Sequence, residues 1–205
     1  MAFSSSWERC IVHNGGVAPQ TLIDLCNLIE PVGEVGLRPW SESDVSALVG
    51  AWNDPEIARW NSVPPDPSAE FASAWITGAA VQTVDDIGID VVMERSETLI
   101  GEIGLQVNRP QNIAEIGFWI GEHHRGQGLG TTMLELGKLL GLQLGLRGLV
   151  ALVDPANERT VQLLEGAGWF ELATRSDRRA LACRLEGDGA TDGGDSVAAN
   201  PDLAV

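Results

Sequence analysis

Apolar residues in this chain keep to two rhythms, and the switches between them mark out its elements. Residues 87–93 alternate apolar with other positions and predict a strand, and 35–40 reads as another. Residues 99–107, after the tight turn Ser96-Glu97-Thr98, and the apolar run Ile113–Ile120, after the turn 108–112, read as strands too. Between the first two strands, Ser41-Glu42-Ser43-Asp44 is a capping-box pattern opening a helix to about Trp52, which Asn53-Asp54-Pro55-Glu56 then breaks. Asp66-Pro67 supplies a cap and a first-turn proline for a second helix reaching about Ala80. A helix-period segment over 129–145 leads to a strand at 148–153, a unit of the kind that makes parallel pairs. A further helix closes at Gly166-Ala167-Gly168, and strands at 169–173 and 181–185 complete an antiparallel end. The pattern predicts an α/β (α+β) class: one mixed, mostly antiparallel sheet of about seven strands flanked by about four helices.

Outside residues 35–185 the rhythm weakens. In the extension 1–34, residues 7–12 read as a short strand and 19–29 as a helix, together a structural appendage packed on the domain. From Glu186 to Val205 the chain is rich in glycine and aspartate with no basic residue, and reads as a disordered acidic tail.

One junction carries chemistry. The apolar run Ile113–Ile120 passes through a polar turn into Arg125-Gly126-Gln127-Gly128-Leu129-Gly130, and a helix follows at once. Glycines let backbone N–H groups approach an anion closely, and the first turn of a helix adds unpaired N–H groups and a positive dipole end. The order is neither GxGxxG nor a P-loop, which would end in Gly-Lys-Ser/Thr.

The spacing Arg125-x-x-Gly128-x-Gly130 resembles the (Q/R)xxGx(G/A) pyrophosphate motif of the GNAT superfamily of acyl-CoA-dependent N-acyltransferases. Downstream, Pro155-Ala156-Asn157 before a helix closed by Gly168-Trp169 is similar to that superfamily's second signature. Upstream, Leu37-Arg38-Pro39-Trp40, Asp54-Pro55-Glu56-Ile57 and Trp60 resemble its RimJ/RimL branch, the ribosomal-protein N-terminal acetyltransferases and their relatives. The resemblance spans about residues 35–185. It implies a GNAT fold with a splayed central strand pair, and acetyl-CoA as cosubstrate without a metal.

It also implies roles. Backbone of Phe118, Trp119 and Ile120 would pair with pantetheine in the splay, one N–H facing the thioester oxygen. N–H groups of Arg125, Gly126, Gln127, Gly128, Leu129 and Gly130 would hold the pyrophosphate, and the Asn157 amide would bond the pantetheine arm. The loop carrying Trp60, Asn61 and Ser62 would wall the acceptor pocket. Many relatives place a tyrosine seven residues after the asparagine to protonate the departing thiolate; here that position is Leu164, and the chain has no tyrosine. Thr160 is a substitute donor, and a thiol with a reference pKa of about 8.5 is able to leave unaided at some cost in rate.

For the base, Glu115 is the first candidate and Glu102 the second. A carboxylate in a buried strand is costly unless paired or used, and desolvation would raise its pKa toward the working range. The alternative is that Glu115 pairs with an arginine or caps a sheet edge. Trp52, Trp60 and Trp75 read mainly as packing residues, and His123 and His124 as a solvated turn.

Composition narrows the partners. A net charge of −16 opposes nucleic acid, which needs a basic footprint, and favours cationic acceptors such as amines, polyamines or basic protein tails. Lys138 is the sole lysine against twelve arginines. Cys10, Cys26 and Cys183 are scattered, so lone buried thiols in a reducing cytoplasm are expected rather than a disulfide framework or zinc site. No apolar run reaches the ~18 residues of a membrane span, and the first residues hold no continuous apolar stretch of a secretory signal. The expectation is a cytoplasmic monomer or homodimer transferring acetyl to a primary amine, on a protein lysine or N-terminus. The alternatives are a small amine (polyamine, amino sugar or amino acid) or a non-catalytic acyl-CoA-binding module.

Overall fold

The chain's fold is described by a computed structural model over residues 22–80, 88–174 and 177–185. The strand read at 7–12, the start of the helix read at 19–29, Cys10 and the acidic tail from Glu186 lie outside those residues.

Among the described residues seven strands form one sheet in the order β1-β2-β3-β4-β5-β7-β6. They are β1 (Gly36–Pro39), β2 (Gly88–Arg95), β3 (Thr98–Asn108), β4 (Ile113–Ile120), β5 (Gly148–Val153), β6 (Phe170–Thr174) and β7 (Arg179–Arg184). All neighbours pair antiparallel except β4 and β5. Among the described residues six helices accompany the sheet: α1 (Leu22–Asn27), α2 (Val45–Trp52), α3 (Pro55–Trp60), α4 (Ala69–Ala80), α5 (Leu129–Gln143) and α6 (Glu158–Gly166). The strand at 113–120 has the bounds its apolar run predicts, because both of its ends are marked by turns.

Two discrepancies have local causes. The break read at Asn53–Glu56 contains a helix of its own: Asp54 caps α3 by accepting the Glu56 N–H at 2.8 Å, with Pro55 at the first helical position. Asp66-Pro67 carries the same pair, yet α4 starts later, where the Ser68 Oγ accepts the Phe71 N–H at 3.2 Å. The capping box at Ser41–Asp44 is present and opens a 3-10 turn (Glu42–Asp44) leading into α2. Arg38 grips Asp44 at 2.7 and 2.8 Å and Glu94 at 2.6 Å, pinning that turn to the sheet.

Each face of the sheet is covered by its own layer. Ile103, Leu105, Ala114 and Ile116 point to α5 and α1, with Leu134, Leu136, Leu140, Leu22 and Leu25 completing the main core. Val92 and Trp119 point the other way, into a second core of Trp40, just after β1, with Leu48, Trp52, Ile57 and Ile76 from α2, α3 and α4. Trp75 meets Trp40 and Trp52 edge-on at 5.4 and 6.0 Å, geometry favoured by aromatic quadrupoles. The packing role read for Trp52 and Trp75 is what they perform, whereas Trp60 stands apart from this cluster. The free thiols Cys26 and Cys183 are both buried, and burial pushes the Cys26 thiol up to about 12. Among the described residues, no helix is long and apolar enough to cross a membrane.

Candidate active site

The parallel pair β4–β5 is the structural source of the site. Its register holds for three residues, Ile113 with Gly148, Ala114 with Leu149 and Glu115 with Val150, and then stops. Beyond it β4 continues to Ile120 and β5 to Val153 with no pairing between them. Two unpaired strand edges therefore face one gap. Such edges present unsatisfied N–H and C=O groups, which is the requirement for holding an extended, amide-bearing ligand between them.

A cleft of about 550 Å³ occupies this gap. Gly117, Phe118, Trp119 and Ile120 line it from β4, and Ala151, Leu152 and Val153 from β5. At one end lie Arg125, Gly126, Gly128, Leu129 and Gly130; Asn157 and Thr160 lie along it, and Trp60 and Asn61 form part of the wall. The structure thus brings together most of the residues picked out by sequence. Gln127 is outside the lining: its amide bonds the Arg95 guanidinium at 3.0 Å and the His123 carbonyl at 3.0 Å.

The turn owes its shape to glycine in two different ways. Gly128, directly before α5, has φ +79°, a left-handed conformation that side chains resist. Gly130 is needed for space, since a Cβ there would lie 2.8 Å from Leu163 of α6. The start of α5 therefore packs against the second turn of α6. At the head of α6, the Asn157 Oδ1 accepts the Thr160 N–H at 3.3 Å, which leaves the Asn157 NH₂ as a donor toward the cleft.

Arg125 is not aimed into the cleft as a free charge. Its Nε donates to the Ile120 carbonyl at 2.9 Å, and its guanidinium forms an ion pair with Asp54, the cap of α3. Burial would push the Asp54 carboxyl up, but Arg125 and the N–H groups of Glu56 and Ile57 outweigh it and hold it below the ordinary range. One guanidinium so fastens the strand end, the glycine turn and the α3 wall together. On that wall Trp60 donates its indole N–H to Glu56 at 3.2 Å, and Asn61 donates to the Ile57 carbonyl at 3.2 Å. Glu56 is exposed, and Trp60 and Asn61 are half-buried.

The two candidate bases differ from expectation in their burial. Glu115 sits on β4 opposite Gln106 and is exposed, so the desolvation argued for it does not apply. That environment belongs to Glu102 on β3, which is 9% exposed. Strand alternation places its side chain on the same sheet face as Trp119, directly opposite in register, and the Trp119 indole N–H donates to it. Burial, then the charge of Asp90 on the adjacent strand, push Glu102 up to about 8, against the opposing pull of the Trp119 hydrogen bond. Trp119 itself lines the cleft, which puts Glu102 one side chain behind the surface.

Sequence reasoning passed over several lining residues. His124 lines the cleft and is half-buried, in contrast to exposed His123; burial and then the charges of Arg95 and His123 hold it below the usual imidazole range. Glu56, Arg159 and Arg178 also line it, and the signal available for Glu56 was the Asp54-Pro55 helix start. Leu164, at the position where relatives carry tyrosine, is fully buried in the main core and outside the lining. Among the described residues no group of three or more His, Cys, Asp or Glu side chains converges as a metal site.

This architecture has parallels among solved structures. Spermidine N-acetyltransferase from Vibrio cholerae, in complex with CoA and spermine, superposes with a TM-score of 0.66 at 20% identity, covering 75% of this chain and 97% of that one. RimJ from Mycobacterium smegmatis, in complex with CoA-disulfide, gives 0.66 at 18% identity over 77% and 85%. A putative ribosomal-protein-serine acetyltransferase from Vibrio cholerae gives 0.62 at 18% over 75% and 95%. No curated protein matches the chain. The model of the acetyltransferase (GNAT) domain matches residues 34–169, a span that takes in the strand that parts from its neighbour, the glycine turn and the capped helix beside it. With that match over more than half its length, the chain belongs to the GNAT acetyltransferase family.

Proposed function

We propose that the protein is an acetyl-CoA-dependent N-acetyltransferase whose acceptor is a primary amine presented by another protein, a lysine side chain or an N-terminus. The observation that supports an enzyme of this kind is the gap after Glu115, with a glycine turn at its end and bare strand edges along it. In this reading pantetheine lies between Phe118–Ile120 and Ala151–Val153, donating to and accepting from both edges. The N–H groups of Gly126, Gly128, Leu129 and Gly130 hold the diphosphate, and Asn157 donates to the pantetheine arm.

The neutral amine nitrogen attacks the thioester carbonyl carbon. A backbone N–H of the β4 edge stabilises the oxyanion, the C–S bond breaks, and CoA leaves as thiolate. A base with a pKa near the working pH serves best to take the ammonium proton, and Glu102 fits that requirement better than exposed Glu115. Thr160, with its side chain along the cleft, is the donor nearest in kind to the missing tyrosine.

The acceptor assignment is supported by the exposure of the α3 wall, where Glu56, Arg59 and Ser62 are open to solvent and Trp60 is only half-buried. A chain end can enter there, and the net charge of −16 draws cationic segments. The test is acetyl-CoA turnover against basic peptides and proteins, with spermidine as a parallel acceptor. CoA release with peptides supports the reading. Turnover on spermidine alone moves the acceptor to small polyamines, and CoA binding without turnover on any amine replaces the enzyme by a binding module.

A further inference from the structure

The Arg125–Asp54 ion pair leaves a question of charge. The CoA nucleotide carries a diphosphate and, on its ribose, a 3′-phosphate, while the protein is strongly acidic and the cation of its glycine turn is already engaged. Of the arginines lining the cleft, only Arg159 and Arg178 have no hydrogen-bond or ion-pair partner among the described residues.

Their placement is specific. Arg159 stands in the first turn of α6, one turn before Leu163, the residue in contact with Gly130. Four residues of helix rise about 6 Å, so Arg159 lies just outside the glycine turn. Arg178 immediately precedes β7, whose Arg179 is in register with Val153 at the end of β5. Both residues thus line the cleft near the end of the gap from which α6 departs. A carboxylate that lines the cleft beside them, Asp154, accepts the Ala156 N–H at 2.8 Å.

We propose that Arg159 and Arg178 form the subsite for the ribose 3′-phosphate, so that this enzyme distinguishes CoA from its 3′-dephospho form through two side chains outside the family's glycine turn. The inference rests on the CoA-binding reading above. Guanidinium–phosphate hydrogen bonds are charge-assisted and among the strongest available, and they are bidentate in form.

The experiment is calorimetric binding of CoA and 3′-dephospho-CoA to the full chain and to Arg159→Gln, Arg178→Gln and the double variant. Arg184→Gln, on an exposed arginine away from the cleft, controls for the change in net charge. The expected result is that the protein binds CoA at least about tenfold more tightly than the dephospho form. The double variant removes that preference and leaves affinity for the dephospho form unchanged, and Arg184→Gln keeps the preference. Equal affinity for the two nucleotides in the unmodified protein overturns the subsite alone. Equal loss of affinity for both in the double variant also overturns it, placing the arginines on the diphosphate. Failure to bind either nucleotide overturns the subsite and the CoA-binding reading together.

Discussion

In the proposed mechanism Glu102 carries the chemistry in one ionisation. A carboxylate with 9% exposure beside a second acid is held protonated well above its reference range, which suits it to that role near neutrality and makes it a liability to the fold at higher pH. The sign follows from its raised folded pKa. Its contribution to stability is fully present below about 4.5 and is lost as pH rises through about 8. Glu102→Gln keeps an acceptor for the Trp119 indole and has no proton to lose. Its melting temperature should therefore gain on the unmodified protein between about pH 5 and pH 9. In rate measurements the same variant should lose about 10²–10⁴-fold in kcat and the pH limb near 8. Glu115→Gln, altering an exposed side chain, should stay within about twofold of the unmodified enzyme. The reverse result would return the role of base to Glu115.

Among the elements, α3 is the one on which the two halves of the site depend. Its cap residue, Asp54, is also the partner of Arg125, so the α3 wall of the cleft and the glycine turn share one ion pair. Asp54→Asn keeps a good cap and removes the charge; it should cost about 1–2 kcal/mol, and Asp54→Ala about 1 kcal/mol more. Because Asp54 has a lowered folded pKa, its contribution is present above the ordinary carboxylate range and lost as pH falls through the lowered value. The stability gap between the protein and Asp54→Asn should accordingly close in acid. KM for acetyl-CoA should rise in the variant as the turn loosens. Strands such as Ile113–Ile120 were legible because periodicity and flanking turns agree. α3 was not, since six residues are too few to show a helical period and their proline reads equally as a break. The parting of β4 from β5 entered only through family resemblance, and the burial of Glu102 rather than Glu115 depends on which strands receive the α2–α4 layer. Arg159 and Arg178 carry no sequence signal at all; they matter because three elements end at one place.

At the scale of the molecule, charge works in opposite directions on the two substrates. A surface of net −16 attracts a basic acceptor and repels an anionic nucleotide, and salt screens both effects over a Debye length of about 10 Å at 0.1 M. Raising salt from about 50 to 500 mM should increase KM for a basic peptide several-fold while leaving KM for acetyl-CoA level or lower. Parallel increases in both would point to a local binding contact rather than the overall field. The unzipped pair β4–β5 has its own consequence at this scale. The sheet is left one ribbon short in its interior, and in the proposed binding mode the coenzyme serves as the absent ribbon. Occupancy should then slow amide hydrogen exchange along 116–120 and 151–153 together, far from where the nucleotide sits, and raise the melting temperature with ligand concentration. Under that binding mode the protein would finish folding each time it loads and partly undo that completion each time it turns over.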